Sequence, residues 1–70
     1  MTIPTGKYRH YKGNDYEVIG VATHSEDENQ LVVYRPLYGK GDLWVRPLEM
    51  FTETIEVDGK TVERFAFVSA

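Results

Sequence analysis

Tyr34, Trp44 and Arg46 are the residues whose types and spacing best suit a ligand. Trp44 is the sole tryptophan of the chain, and Arg46 follows two positions later on a segment, Leu43 to Arg46, that reads as an alternating strand. Residues i and i+2 of a strand leave the same face, so the indole and the guanidinium lie side by side. An arginine beside aromatic rings can stack on them, or hold a carboxylate or phosphate with its planar fork. The plainer alternative pairs Arg46 with Glu49 or another carboxylate. Tyr8, His10 and Tyr38 extend the candidate surface. His10 shares a strand face with Tyr8 and Lys12, and its plainer role is that of a packed, hydrogen-bonded residue.

Catalytic and metal chemistry find little support. The two histidines, His10 and His24, come with no cysteine and no local ligand pair, so neither a metal site nor a bound cofactor is expected. Thr23 and Ser25 flank His24, but strand neighbours point to opposite faces, which argues against a hydrogen-bonded nucleophile and base. Gly39-Lys40-Gly41 is followed by a strand, whereas a phosphate loop requires a helix. An enzymatic alternative would use His10 as acid or base with a carboxylate such as Glu49. A closed pocket joining the two would favour it, and a shallow groove would favour a binding module.

The elements that position these groups are short strands. Tyr8 to Tyr11 reads as a first strand and Tyr16 to His24 as a longer second one, with Gly20 placed for a bend or bulge. After the acidic connection Ser25 to Gln30, Leu31 to Arg35 forms a third strand stopped by Pro36. Leu43 to Arg46 forms a fourth, stopped by Pro47, and Leu48 to Thr52 forms a single helical turn whose Leu48, Met50 and Phe51 cap one end of the fold. Asp58-Gly59, flanked by Ile55-Glu56-Val57 and Thr61-Val62, is the strongest hairpin signal, because both central positions of a type I′ turn need positive φ. The two-residue loop sets Ile55 opposite Val62 and Glu53 opposite Arg64.

With Tyr38 to Asp42 as a five-residue loop, the third and fourth strands place Tyr34 across from Arg46 and Trp44 across from Pro36. One face collects Val33, Arg35, Leu37, Leu43, Val45 and Pro47, the other Val32, Tyr34, Pro36, Trp44, Arg46 and Leu48. The first, mostly aliphatic, is expected to be the core; the second, aromatic and cationic, is the candidate surface. The competing possibility is that Tyr34 and Trp44 fill a small core of their own.

Composition sets the outer bounds. Seventy residues make one domain with a thin margin, since a core of this size supplies ~3–5 kcal/mol. The absence of cysteine suits a reducing cytoplasm, and no apolar run approaches the ~20 residues that span a bilayer, so the chain reads as soluble. A net charge of −3 opposes nucleic acid as the default partner. Lys7, Arg9 and Lys12 nevertheless form a local basic strip, whose plainer role is to keep an edge strand soluble.

Tyr8-Arg9-His10-Tyr11-Lys12-Gly13, Tyr16 to Ala22, Val32-Val33-Tyr34-Arg35, Leu43 to Phe51 and Val57-Asp58-Gly59-Lys60 with Arg64-Phe65 together resemble a family of small bacterial proteins, domain of unknown function 1653. The family implies no activity, substrate or catalytic residue. The strand order also resembles an SH3-like barrel. The expected fold is therefore all-β, a small SH3-like barrel of five to six antiparallel strands over residues 1–70, with one short helical turn between strands four and five. The expected role is a non-enzymatic interaction module that binds a peptide or nucleotide-like ligand.

Overall fold

A computed structural model of the chain describes residues 2–70. The fold is all-β with one turn of helix. The strands are β1 (Gly6–His10), β2 (Asp15–Thr23), β3 (Gln30–Pro36) and β4 (Trp44–Pro47), then the helical turn α1 (Leu48–Phe51), β5 (Thr54–Val57), β6 (Lys60–Glu63) and β7 (Phe65–Ser69). The turn lies between the fourth and fifth strands as expected, while the strands among the described residues come to seven. Five of them form one antiparallel sheet in the order β4-β3-β2-β1-β7, and β5 pairs with β6 as a separate hairpin. Strand β7 follows immediately on the hairpin and adds itself beside β1. Hence β1, with Lys7 and Arg9, is an interior strand and not the edge its charges suggested; β4 and β7 are the edges. Lys7 and Arg9 converge instead on Asp15, at 3.4 and 2.8 Å.

Local chemistry accounts for the elements. Pro47 has no N–H to give a further ladder bond, so β4 stops there and the chain turns into α1. Thr52 closes that turn twice, its backbone N–H and its hydroxyl both donating to the Leu48 carbonyl. Leu48 and Phe51, three positions apart on the turn, are buried, whereas Met50 points away and is half exposed; the cap expected of all three is made by two. The register of β2 on β3 shifts between Val18 and Gly20, the bulge anticipated at Gly20. At the hairpin, Asp58 and Gly59 both have positive φ, Ile55 faces Val62, and Arg64 forms an ion pair with Glu53.

The two faces of the β3–β4 hairpin are the reverse of the expectation. Val32, Tyr34 and Leu48 are buried, while Val45, Leu43 and Leu37 of the aliphatic face are exposed. The reason is ring size together with chain path. An aromatic side chain buries ~150–250 Å², and α1, whose Leu48 continues the parity of Trp44 and Arg46, folds back on that face. The core comprises Tyr8, Tyr16, Val18, Val32, Tyr34, Leu48, Phe51 and Phe65, so it is held largely by ring contacts. Phe51 and Phe65 stack at 4.2 Å, and Tyr34 meets both edge-on at 5.3 and 5.8 Å.

The register of that hairpin also differs, by two residues: Tyr34 pairs with Trp44 and Val32 with Arg46. Pairing to β4 ends at Tyr34 and Trp44, whereas β3 stays paired to β2 as far as Pro36. An even shift preserves the faces, so Trp44 and Arg46 still share one with Tyr34.

Candidate ligand-binding site

Of the six candidate residues, Tyr8 and Tyr34 are core. Tyr8 is 5% exposed and its hydroxyl donates to the Pro4 carbonyl at 2.7 Å, which leaves it nothing to offer a ligand directly. Tyr34 is 3% exposed, but its hydroxyl accepts from Arg46 Nε at 3.3 Å. The remaining four lie on the rim of the same sheet face. Trp44 is 43% exposed and Tyr38 is 47% exposed, and Arg46 and His10 are half-buried.

The aromatic side of the rim is held by Tyr16. Its hydroxyl meets that of Tyr38 at 3.1 Å, and its ring lies 5.9 Å from Tyr38 and 6.1 Å from Trp44. Trp44 also meets Tyr34 edge-on at 6.0 Å. Burial and the Tyr38 hydroxyl push the Tyr16 hydroxyl up to about 12, so the Tyr16 phenol stays protonated at any physiological pH. Between the β3–β4 loop and Trp44 lies a concavity of about 220 Å³ lined by Pro36, Tyr38, Lys40 and Trp44 among others. That is below the ~300–1,000 Å³ of a whole-ligand pocket; it suits one ring or one side chain.

The cationic side is organised on Phe65. The Arg46 guanidinium carbon lies 5.7 Å from the Phe65 centroid and the His10 ring 4.9 Å from it. Strand β7 brings Phe65 opposite His10, which is why the C-terminal strand completes the site. His10 Nδ1 accepts the Lys12 backbone N–H at 3.2 Å. Burial, followed by the charges of Arg64, Lys12 and Arg46, pushes the imidazole below its ordinary value, so at neutral pH it is uncharged with its proton on Nε2.

Arg46 is chemically distinct among the arginines. Arg9, Arg35 and Arg64 sit in ion pairs with Asp15, Glu17 and Glu53, and Arg46 sits in none among the described residues. The carboxylate partner weighed for it, Glu49, lines a different concavity, with His24, Asp27 and Leu48. His10 lines yet another, against Val57, Thr61 and Val62 of the hairpin and Ala66 and Val68 of β7. His10 and Glu49 therefore have no concavity in common.

Sequence comparison supplies the lineage. The profile of a family described as a protein of unknown function, DUF1653, matches residues 6–67. The chain belongs to that family. A crystal structure of a DUF1653 protein from Bordetella bronchiseptica is 35% identical and superposes with a TM-score of 0.86, over 94% of this chain and 87% of that one. No curated protein matches the sequence.

Three residues of the candidate site in this DUF1653 protein lay outside the sequence reading: Tyr16, Phe65 and Arg64. Tyr16 was legible in principle, since closing the Tyr11 to Asn14 turn sets it opposite Tyr8, as the register has it. Phe65 and Arg64 were not, because nothing local announces that β7 returns to pair with β1. Among the described residues no helix is long and apolar enough to cross a membrane.

Proposed function

We propose that this domain is a non-enzymatic binding module. Its ligand joins a flat or apolar group, seated on Trp44 and Tyr38, to a negative group held by Arg46, with His10 beside it; peptides and nucleotide-like molecules both have this form. The observation that carries the reading is the unpaired Arg46 guanidinium. On a chain of net charge −3, an arginine without a carboxylate, braced from below by Tyr34 and Phe65, is a built anchor with its outer N–H groups to spare. Tyr8 and Tyr34 support the site from the core. A cysteine-free chain suits the reducing interior of a bacterial cell, and we place the domain there. The net charge and the partial neutralisation of Lys7 and Arg9 by Asp15 weigh against nucleic acid as the partner.

Trp44 is the sole tryptophan, so its fluorescence reports the site directly. The test titrates wild type and Arg46→Ala with a panel of short peptides and mononucleotides. A saturable change in wild type that Arg46→Ala loses, with the circular dichroism unaltered, is the expected result. A panel in which no member perturbs Trp44 would sink the reading.

A further inference from the structure

The positive groups around Phe65 exceed what a single carboxylate needs. Arg46 and Lys12 are both without an ion-pair partner among the described residues. Lys12 is tied to the site through its own backbone, whose N–H holds His10 Nδ1, and its ammonium lies 5.8 Å from the Tyr11 ring, which itself lies 4.5 Å from His10. Arg64 enters from the other side. Its carbonyl accepts the Tyr11 N–H, its outer nitrogen pairs with Glu53, and its Nε is buried with no partner. Glu53 thus already occupies Arg64, and Glu63 lines the concavity against His10 from the hairpin side. What remains is two unpaired cations and the Nε2–H of a neutral imidazole.

A peptide carboxylate brings one negative charge. A phosphate monoester brings ~1.5 to 2 at neutral pH and three acceptor oxygens, which matches two cations and a further donor. The aromatic rim lies on the same face, where the Trp44 and Arg46 side chains stand two residues apart on β4.

Building on the module proposed above, we infer that its ligand class is the nucleoside monophosphate. The phosphate sits between Arg46 and Lys12 and accepts the His10 Nε2–H, and the base rests on Trp44 at the mouth of the Tyr38 loop.

The test compares adenosine 5′-monophosphate, adenosine and inorganic phosphate on the full chain, reading Trp44 fluorescence and the His10 imidazole resonances. The monophosphate is expected to move both signals and to bind roughly tenfold or more tighter than adenosine, the order of a charge-assisted phosphate contact. Inorganic phosphate is expected to move His10 and leave Trp44 nearly unchanged. Lys12→Gln, at an exposed loop position, should weaken the monophosphate roughly threefold and flatten its salt dependence without touching adenosine. Equal binding of adenosine and its monophosphate, or indifference of the monophosphate to Lys12→Gln and Arg46→Gln alike, overturns the phosphate assignment while the binding module stands. Silence of Trp44 and His10 toward all three probes also overturns it, and the peptide arm of the preceding test then decides separately whether the module reading survives.

Discussion

The Nε–H of Arg46 donates to the Tyr34 hydroxyl at 3.3 Å, although the two residues do not face each other across the β3–β4 ladder. Arg46 pairs with Val32, and its side chain reaches diagonally to the ring two positions on. That reach turns the guanidinium along the aromatic face and lays it over Phe65. A core tyrosine thereby orients a rim cation.

Tyr34→Phe keeps the ring and its packing and removes only the acceptor. The expected stability loss is about 0.5–1.5 kcal/mol, the net worth of one hydrogen bond, while ligand capture through Arg46 falls more than that figure implies because the fork is no longer oriented. Chemical denaturation beside a Trp44 titration measures both. A variant that binds as wild type does would show that the hydroxyl has no positioning role.

Trp44 lies between the extremes of surface and core. At 43% exposure, with an edge contact to Tyr34 and a tilted one to Tyr16, Trp44→Ala should cost about 1.5–2.5 kcal/mol, roughly half the ~3–5 kcal/mol of a fully buried aromatic truncation. The domain should remain folded, with a lowered melting temperature. An unfolded variant, or one melting with wild type, would contradict the half-buried placement.

Gly6 has a φ of +132° and lies against β7, where an added Cβ would collide with the Ser69 carbonyl. Gly6→Ala should therefore loosen the β1–β7 pairing that brings Phe65 to His10. Amide exchange is expected to rise in β7 first, with a stability loss of about 1–3 kcal/mol from the strained backbone. Gly59→Val, at φ +78° in the β5–β6 turn with open space around it, tests the hairpin: it should lower the denaturation midpoint by strain alone, and an unchanged midpoint would refute the turn.

His10 gives stability a pH dependence near neutrality. Burial, then Arg64, Lys12 and Arg46, lower its folded value, with the rings of Tyr16, Phe65 and Tyr11 packed around it. Between that lowered value and the unfolded ~6.5 the unfolded chain binds more protons, so stability rises with pH through the window. The contribution is fully present above ~6.5 and is lost as the pH falls through the folded value. Urea midpoints at pH 7.5 and 5.5 should differ in wild type and differ less in His10→Gln. A second decline at lower pH follows from Asp15, held below its usual range first by its hydrogen bond to Arg9.

Much of this protein was determined by local chemistry. Pro36 and Pro47 cannot donate to a ladder, Asp58-Gly59 accepts positive φ, and Gly20 accommodates a bulge, so the strand ends, the β5–β6 hairpin and the bent β2 were all legible in the sequence. The pairing of Trp44 with Arg46 on one face was equally legible, because a strand's period of two survives a register shift of two. Which face is buried was decided only by tertiary structure. Parity does not say whether an aliphatic or an aromatic face lies inside, and it was the return of α1 and the docking of β7 that closed over the rings. The same long-range step placed Phe65 and Arg64 beside His10. Residues 10 and 65 are brought together only by the pairing of the last strand with the first, and no local signal encodes that encounter.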